Sequence, residues 1–153
     1  MSPTRRELVK WLKTKKIEGS VLDIGGHIWS MKEKVHPDSD ISFYRTLGRE
    51  DKANDVIDIT REAIEGQYNH VFCTEVMQFL VKPLTAARNV RGALHPGGQA
   101  YFSFHFTHKE MKSNDYLRYT KKAINYILPK VGLDIDELLE PVEGYYLVQC
   151  HRR

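Results

Sequence analysis

Two spacings of apolar residues run along this chain. Leu8, Trp11 and Leu12 recur at i, i+3 and i+4 behind Thr4 and Glu7, which form a capping-box pair. They predict an amphipathic helix over residues 1–17 that ends near Lys16. Glu18-Gly19 breaks the pattern, and Val21-Leu22-Asp23-Ile24, stopped by Gly25-Gly26, then reads as a short buried strand. Ile41 to Thr46, Val56 to Ile59, His70 to Thr74, Gln99 to Phe106 and Tyr145 to Cys150 are further strand candidates. Several are near-continuous apolar runs, as expected of a sheet covered on both faces.

Helical spacing returns between the strands. Pro83 suits a first helical position and puts Leu84, Ala87, Val90 and Leu94 on one face before His95-Pro96-Gly97-Gly98 turns the chain. After Thr120, a stripe of Ala123, Ile124, Ile127, Leu128 and Val131 leads to a stop at Gly132, with a kink or early end expected at Pro129. His27 to Asp40 contains Pro37 and several charges and leaves little room for a full helix. Strands alternating with helices predict an α/β fold: a Rossmann-like, mostly parallel sheet flanked by helices. Ligands of such sheets bind outside the carboxyl ends of the strands.

The length of 153 residues suits one compact domain, with the sheet core over residues 20–153. With 41% apolar and 28% charged residues, the chain is expected to fold alone. No apolar run reaches membrane-spanning length and MSPTRRELVKW lacks a secretory h-region, so a cytoplasmic protein is expected. Cys73 and Cys150 lie in strand-like stretches without a CxxC motif and read as buried thiols. The net charge is +3, and Arg5, Arg6, Lys10, Lys13, Lys15 and Lys16 crowd the first segment. They read as a solvated helix face, with phosphate or nucleic-acid binding as the alternative.

Candidate chemistry falls at the predicted strand ends. Asp23-Ile24-Gly25-Gly26 delivers a carboxylate and an open turn where glycine permits close approach of a ligand. Thr74-Glu75 ends a second buried strand. His105 and His108 follow the strand through Phe104, and an imidazole suits proton transfer near neutral pH. His105-x-x-His108 with Asp115 could be drawn as a metal site, but none is expected, because the two histidines lack a firm third and fourth ligand. No G-x-G-x-x-G follows the first strand, and neither a P-loop nor a G-x-S-x-G elbow occurs.

In this order the motifs resemble the class I S-adenosylmethionine-dependent methyltransferases. The likeness is to the small branch that reads aspartate-tyrosine-tryptophan-arginine-phenylalanine-threonine after the fifth strand, where this chain reads Asp115-Tyr116-Leu117-Arg118-Tyr119-Thr120. The resemblance covers nearly everything from Val21 onward. It implies S-adenosylmethionine as cofactor, which brings an already activated methyl group, so the protein chiefly supplies orientation, desolvation and a base.

Carried over by position, the resemblance assigns Asp23, Gly25, Gly26 and His27 to the cofactor's methionine end. It assigns Asp58 and Ile59 to the adenine, and Thr74 and Glu75 to the cofactor's side. His105 and His108 become candidate catalytic residues, and Asp115, Tyr116 and Arg118 would bind the substrate; the alternative is that these residues pin the loop to the strand ends through hydrogen bonds. His27 and Trp29 stand where the family has further glycines, no carboxylate ends the second strand, and Gln78-Phe79 replaces a common glutamate-histidine pair. These departures motivate a rival reading, a fold that has lost catalysis and serves a partner, for which Trp29 or His27 inside the cleft would be the sign. The methyl acceptor is not legible in the sequence.

Overall fold

The computed structural model describes residues 1–26, 28–48, 55–111 and 114–153, with only the backbone of Asp55 and Val56. Helix α1 (Pro3–Leu12) is capped by Ser2, whose side chain accepts from the Arg5 N–H, with Pro3 at the first helical position. The cap therefore lies two residues before the expected Thr4. The helix also stops short of Lys16, at Leu12.

Among the described residues seven strands follow: β1 (Glu18–Ile24), β2 (Asp40–Gly48), β3 (Asp55–Val56), β4 (Tyr68–Cys73), β5 (Leu94–His105), β6 (Leu133–Val142) and β7 (Tyr145–Arg152). Helix α2 (Pro83–Gly92) joins β4 to β5, and α3 (Lys121–Lys130) lies between β5 and β6. The sheet order is β3-β2-β1-β4-β5-β7-β6. The first five strands pair in parallel, while β7 runs antiparallel to both β5 and β6. The order reverses between β1 and β4, which puts the ligand crevice of an open α/β sheet at the carboxyl ends of those two strands.

Alternation along the buried strands supplies both faces. Val21, Phe72, Tyr101 and Leu147 pack under α1 through Leu8, Trp11 and Leu12, together with Met31 and Val35 of the stretch after β1. Leu22, Val71, Phe102 and Val148 face the other way, against Ala87 and Val90 of α2 and Ile124 and Leu128 of α3. The described part of the β1–β2 connection contains turns and no helix, as its composition predicted.

Three local expectations are corrected. Leu94 begins β5 instead of closing α2: Tyr68 pairs with Leu94 and His70 with Gln99, so His95-Pro96-Gly97-Gly98 is carried as an irregularity within the strand. Helix α3 runs one residue beyond Pro129, and the Gly132 N–H, at φ +87°, closes on the Pro129 carbonyl at 3.0 Å. Strand β6 was not anticipated. Among the described residues no helix is long and apolar enough to cross a membrane.

Candidate active site

Asp23 ends β1 with its side chain buried, 1% exposed. Its Oδ2 accepts from the Met31 N–H at 2.9 Å and from the Tyr44 hydroxyl, whose oxygen is 2.8 Å from the Ser30 hydroxyl. Burial raises the carboxyl to about 6, against the opposing pull of the Met31 N–H, the Tyr44 hydroxyl and the Lys34 charge. Gly25 turns the chain at φ +82°. A Cβ on Gly26 would overlap the Asp23 carboxylate. Gly26 thus serves the geometry of Asp23 and does not line the cleft.

At the end of β4, Thr74 is buried with its hydroxyl 3.4 Å from Met31 Sδ. Glu75 follows, with Oε2 2.6 Å from His105 Nε2 and Oε1 accepting from the Tyr145 hydroxyl at 2.6 Å. Burial opposes its charge, but the bonds from His105 and Tyr145 and the nearby charges of His105 and Arg5 prevail and hold it below the usual glutamate value. His105 is 2% exposed. The exposed His108 ring meets the His105 ring edge-on at 4.7 Å, and its Nδ1–H donates to the Lys109 carbonyl at 2.6 Å.

The Asp115–Thr120 stretch after β5 forms a clasp. Arg118 grips Asp115 with two bonds of 2.5 and 2.6 Å, and Asp115 Oδ2 also accepts from the Met111 N–H at 2.8 Å. Arg118 further donates to the His108 and Lys109 carbonyls, while the Tyr116 and Leu117 N–H groups donate to the Gln78 carbonyl. Asp115, Tyr116 and Arg118, expected at the substrate, do not line the cleft: they tie the loop after β5 to the chain after β4, leaving Met111 and Asn114 on the cleft wall.

Asp58 is likewise absent from the cleft wall. Its Oδ1 accepts from the Thr60 N–H and hydroxyl at 3.0 and 2.6 Å, while its neighbours Ile57 and Ile59 line the opening. His27 lies outside the described residues.

The cleft so bounded has a volume of about 590 Å³, in the range of small-molecule sites. It opens at the sheet's reversal point and is lined by Asp23, Gly25, Thr74, Glu75 and His105 from the strand ends. Sequence reasoning missed several contributors. Gln78 is 1% exposed and lines the cleft, although it had been noted only as a replaced family pair. The N-terminus of α1 contributes Thr4 and Arg5. Trp29, singled out from the sequence as a sign of the rival reading, lines the cleft, with the Arg5 guanidinium 5.2 Å and the Lys34 ammonium 4.4 Å from its ring centre. Tyr145 carried no signal beyond its place in a predicted strand.

Among the described residues, the buried side-chain polar atoms without a hydrogen-bond partner are Asp23 Oδ1, Gln78 Oε1 and His105 Nδ1. All three belong to cleft-lining residues. Elsewhere the basic first segment is largely engaged: Lys10 pairs with Glu7, Lys15 with Glu137 and Lys16 with Glu18 at 3.0–3.1 Å. No group of three or more His, Cys, Asp or Glu among the described residues is placed to hold a metal ion.

No protein-family model matches this sequence, and no curated protein does. Solved structures are similar. The N-methyltransferase NodS from Bradyrhizobium japonicum WM9, in complex with S-adenosyl-L-homocysteine, matches over 99% of this chain and 88% of its own, with a TM-score of 0.71 and 16% identity. An S-adenosylmethionine-dependent methyltransferase from Mesorhizobium loti matches over 99% of both chains, with a TM-score of 0.72 and 14% identity. The [4+2]-cyclase SpnF matches over 97% of this chain and 80% of its own, with a TM-score of 0.72 and 10% identity. At these identities the likeness establishes the fold, which is that of the class I methyltransferases.

Proposed function

We propose that this protein binds S-adenosylmethionine in the cleft at the ends of β1 and β4 and transfers its methyl group to an acceptor that enters beside His105 and His108. The observation that carries this reading is the set of three unpartnered buried acceptors carried by residues that line the cleft. A buried acceptor without a partner costs free energy, so a ligand that brings donors or positive charge is favoured there. S-adenosylmethionine brings an ammonium, ribose hydroxyls, an adenine amine and a sulfonium.

Asp23 Oδ1 would take a donor of the cofactor, Gly25 would admit its close approach, and Ile57 and Ile59 would offer apolar surface to its base. The bound cofactor supplies an activated methyl group. The chain's own residues orient the acceptor, exclude water and receive a proton. The complex of NodS with S-adenosyl-L-homocysteine supports the choice of ligand, because that protein shares the fold over nearly the whole of this chain.

Calorimetric titration with S-adenosylmethionine and S-adenosylhomocysteine tests the reading. Binding of both in the micromolar range, lost in Asp23→Ala, is expected. No binding to either by the wild-type chain overturns it.

One observation favours a second reading, a binding or regulatory protein without catalysis: Trp29 stands on the cleft wall. A fold of this kind does not fix its chemistry, and SpnF, described as a [4+2]-cyclase, has the same architecture. Failure of both titrations together with a stable complex formed with another protein would favour that reading.

A further inference from the structure

Glu75 has a φ of +60°, a left-handed backbone that a residue with a long side chain keeps only where its surroundings hold it. Its N–H donates to Ser103 Oγ at 2.7 Å, and its carboxylate is shared between Tyr145 and His105. Ser103 and His105 are two residues apart on β5, hence on one face, and Tyr145 is the ladder partner of His105 on β7. Three neighbouring strands thus converge on one carboxylate.

The consequence for His105 is chemical. An ionised carboxylate only accepts hydrogen bonds, so the nitrogen facing Glu75 must carry a proton. In the neutral imidazole the lone pair then resides on Nδ1, the nitrogen left buried and without a partner on a cleft-lining side chain. The charged and titratable groups around this ring are Glu75, Tyr145 and His108, with Arg5 acting on Glu75 from α1.

We propose that Glu75, Tyr145 and Ser103 are positioning residues that hold His105 as the Nε2–H tautomer, so that His105 Nδ1 takes the proton from the acceptor's reacting atom. This rests on the methyl-transfer reading and deepens it. The acceptor is then an amine or hydroxyl compound whose nucleophilic nitrogen or oxygen bears a proton. Its reacting atom gives a lone pair to the methyl carbon as the electrons of the methyl–sulfur bond return to sulfur. The displaced proton passes to Nδ1, and the imidazolium so formed lies against the Glu75 carboxylate, which stabilises it.

Two measurements test this. Long-range 1H–15N spectra of the unliganded chain, with His105 assigned by His105→Gln, should show the Nε2–H tautomer in the neutral ring. Tyr145→Phe should retain this tautomer, and Glu75→Ala should lose the preference. A dominant Nδ1–H tautomer in the wild-type chain overturns the proposal.

Titration with S-adenosylhomocysteine separates acceptor side from cofactor side. Glu75→Gln and His105→Gln should bind it within about threefold of wild type. A loss beyond about tenfold in a folded Glu75→Gln protein would make Glu75 a cofactor residue and overturn the proposal. Absence of binding by the wild-type chain would instead overturn the methyl-transfer reading itself, and the tautomer measurement would still report on the Glu75–His105 pair.

Discussion

The Met31 N–H donates to Asp23 Oδ2 at 2.9 Å and ties the turn-rich stretch after β1 back to the carboxylate at that strand's end. One carboxylate oxygen is thereby spent on structure, closing a connection too short and too charged for a helix. The other oxygen is buried without a partner on a residue that lines the cleft. A single aspartate therefore links the folding of the loop to whatever the cleft binds.

This linkage predicts an unusual dependence of stability on pH. Burial raises the Asp23 carboxyl from 3.8 to about 6 in the folded chain. Between these values the folded chain holds a proton that the unfolded chain has released, so the contribution of Asp23 falls as pH rises through that window, by on the order of 3 kcal/mol in all. Asp23→Asn removes the charge and keeps the shape. Urea denaturation at about pH 7 should show the variant more stable than wild type by about 1–3 kcal/mol, with the gain gone near pH 4. Equal destabilisation at both pH values would contradict the account.

Gly26→Ala tests the same carboxylate sterically. The added Cβ would overlap the Asp23 side chain, which cannot retreat without giving up Met31 or Tyr44. The variant should lose about 1–3 kcal/mol of stability and, although Gly26 does not line the cleft, most of its affinity for S-adenosylhomocysteine. Unchanged affinity in calorimetry would show that the position of Asp23 does not matter to the ligand.

The sequence made legible those features set by local pattern. Val21 to Ile24 is apolar because β1 is covered on both sides, and Pro83 marks the first turn of α2. Strand β6 was hidden because Leu133-Asp134-Ile135-Asp136 alternates for only four residues before Glu137 breaks the pattern, and an edge strand buries little. It is held instead by its ladder with β7 and by Glu137, which receives the Trp11 indole N–H and the Lys15 ammonium from distant sequence. At the cleft, Asp23, Thr74, Glu75 and His105 were legible because each stands at or just past the end of a recognisable strand. Gln78, Tyr145 and Arg5 were not, because their approach depends on packing between elements far apart in the chain.

The Asp115–Arg118 clasp yields a prediction about motion. Two-point pairing with Arg118 comes first in holding the Asp115 carboxyl at about 2, so the clasp should persist from neutral pH to well below pH 3.8 and open as pH falls toward about 2. Arg118→Lys keeps the charge but loses the two-point geometry. Hydrogen exchange should quicken by roughly an order of magnitude at the Met111, Tyr116 and Leu117 amides, which the clasp positions, with α2 unaffected. Unaltered exchange there would show that backbone bonds alone hold the loop.

Trp29 separates the catalytic reading from its rival. The chain has two tryptophans, and Trp11 is buried under the sheet, so a ligand-dependent change in fluorescence should come from Trp29 and vanish in Trp29→Phe. Arg5 and Lys34 approach its ring as cation–π partners. As a wall, Trp29 contributes contact area, and Trp29→Ala should weaken S-adenosylhomocysteine binding by about threefold to tenfold. As an obstruction it would occupy space the ligand needs, and the same substitution would strengthen binding. A rise in affinity would therefore mark the wild-type cleft as closed to the cofactor and favour the partner-binding protein.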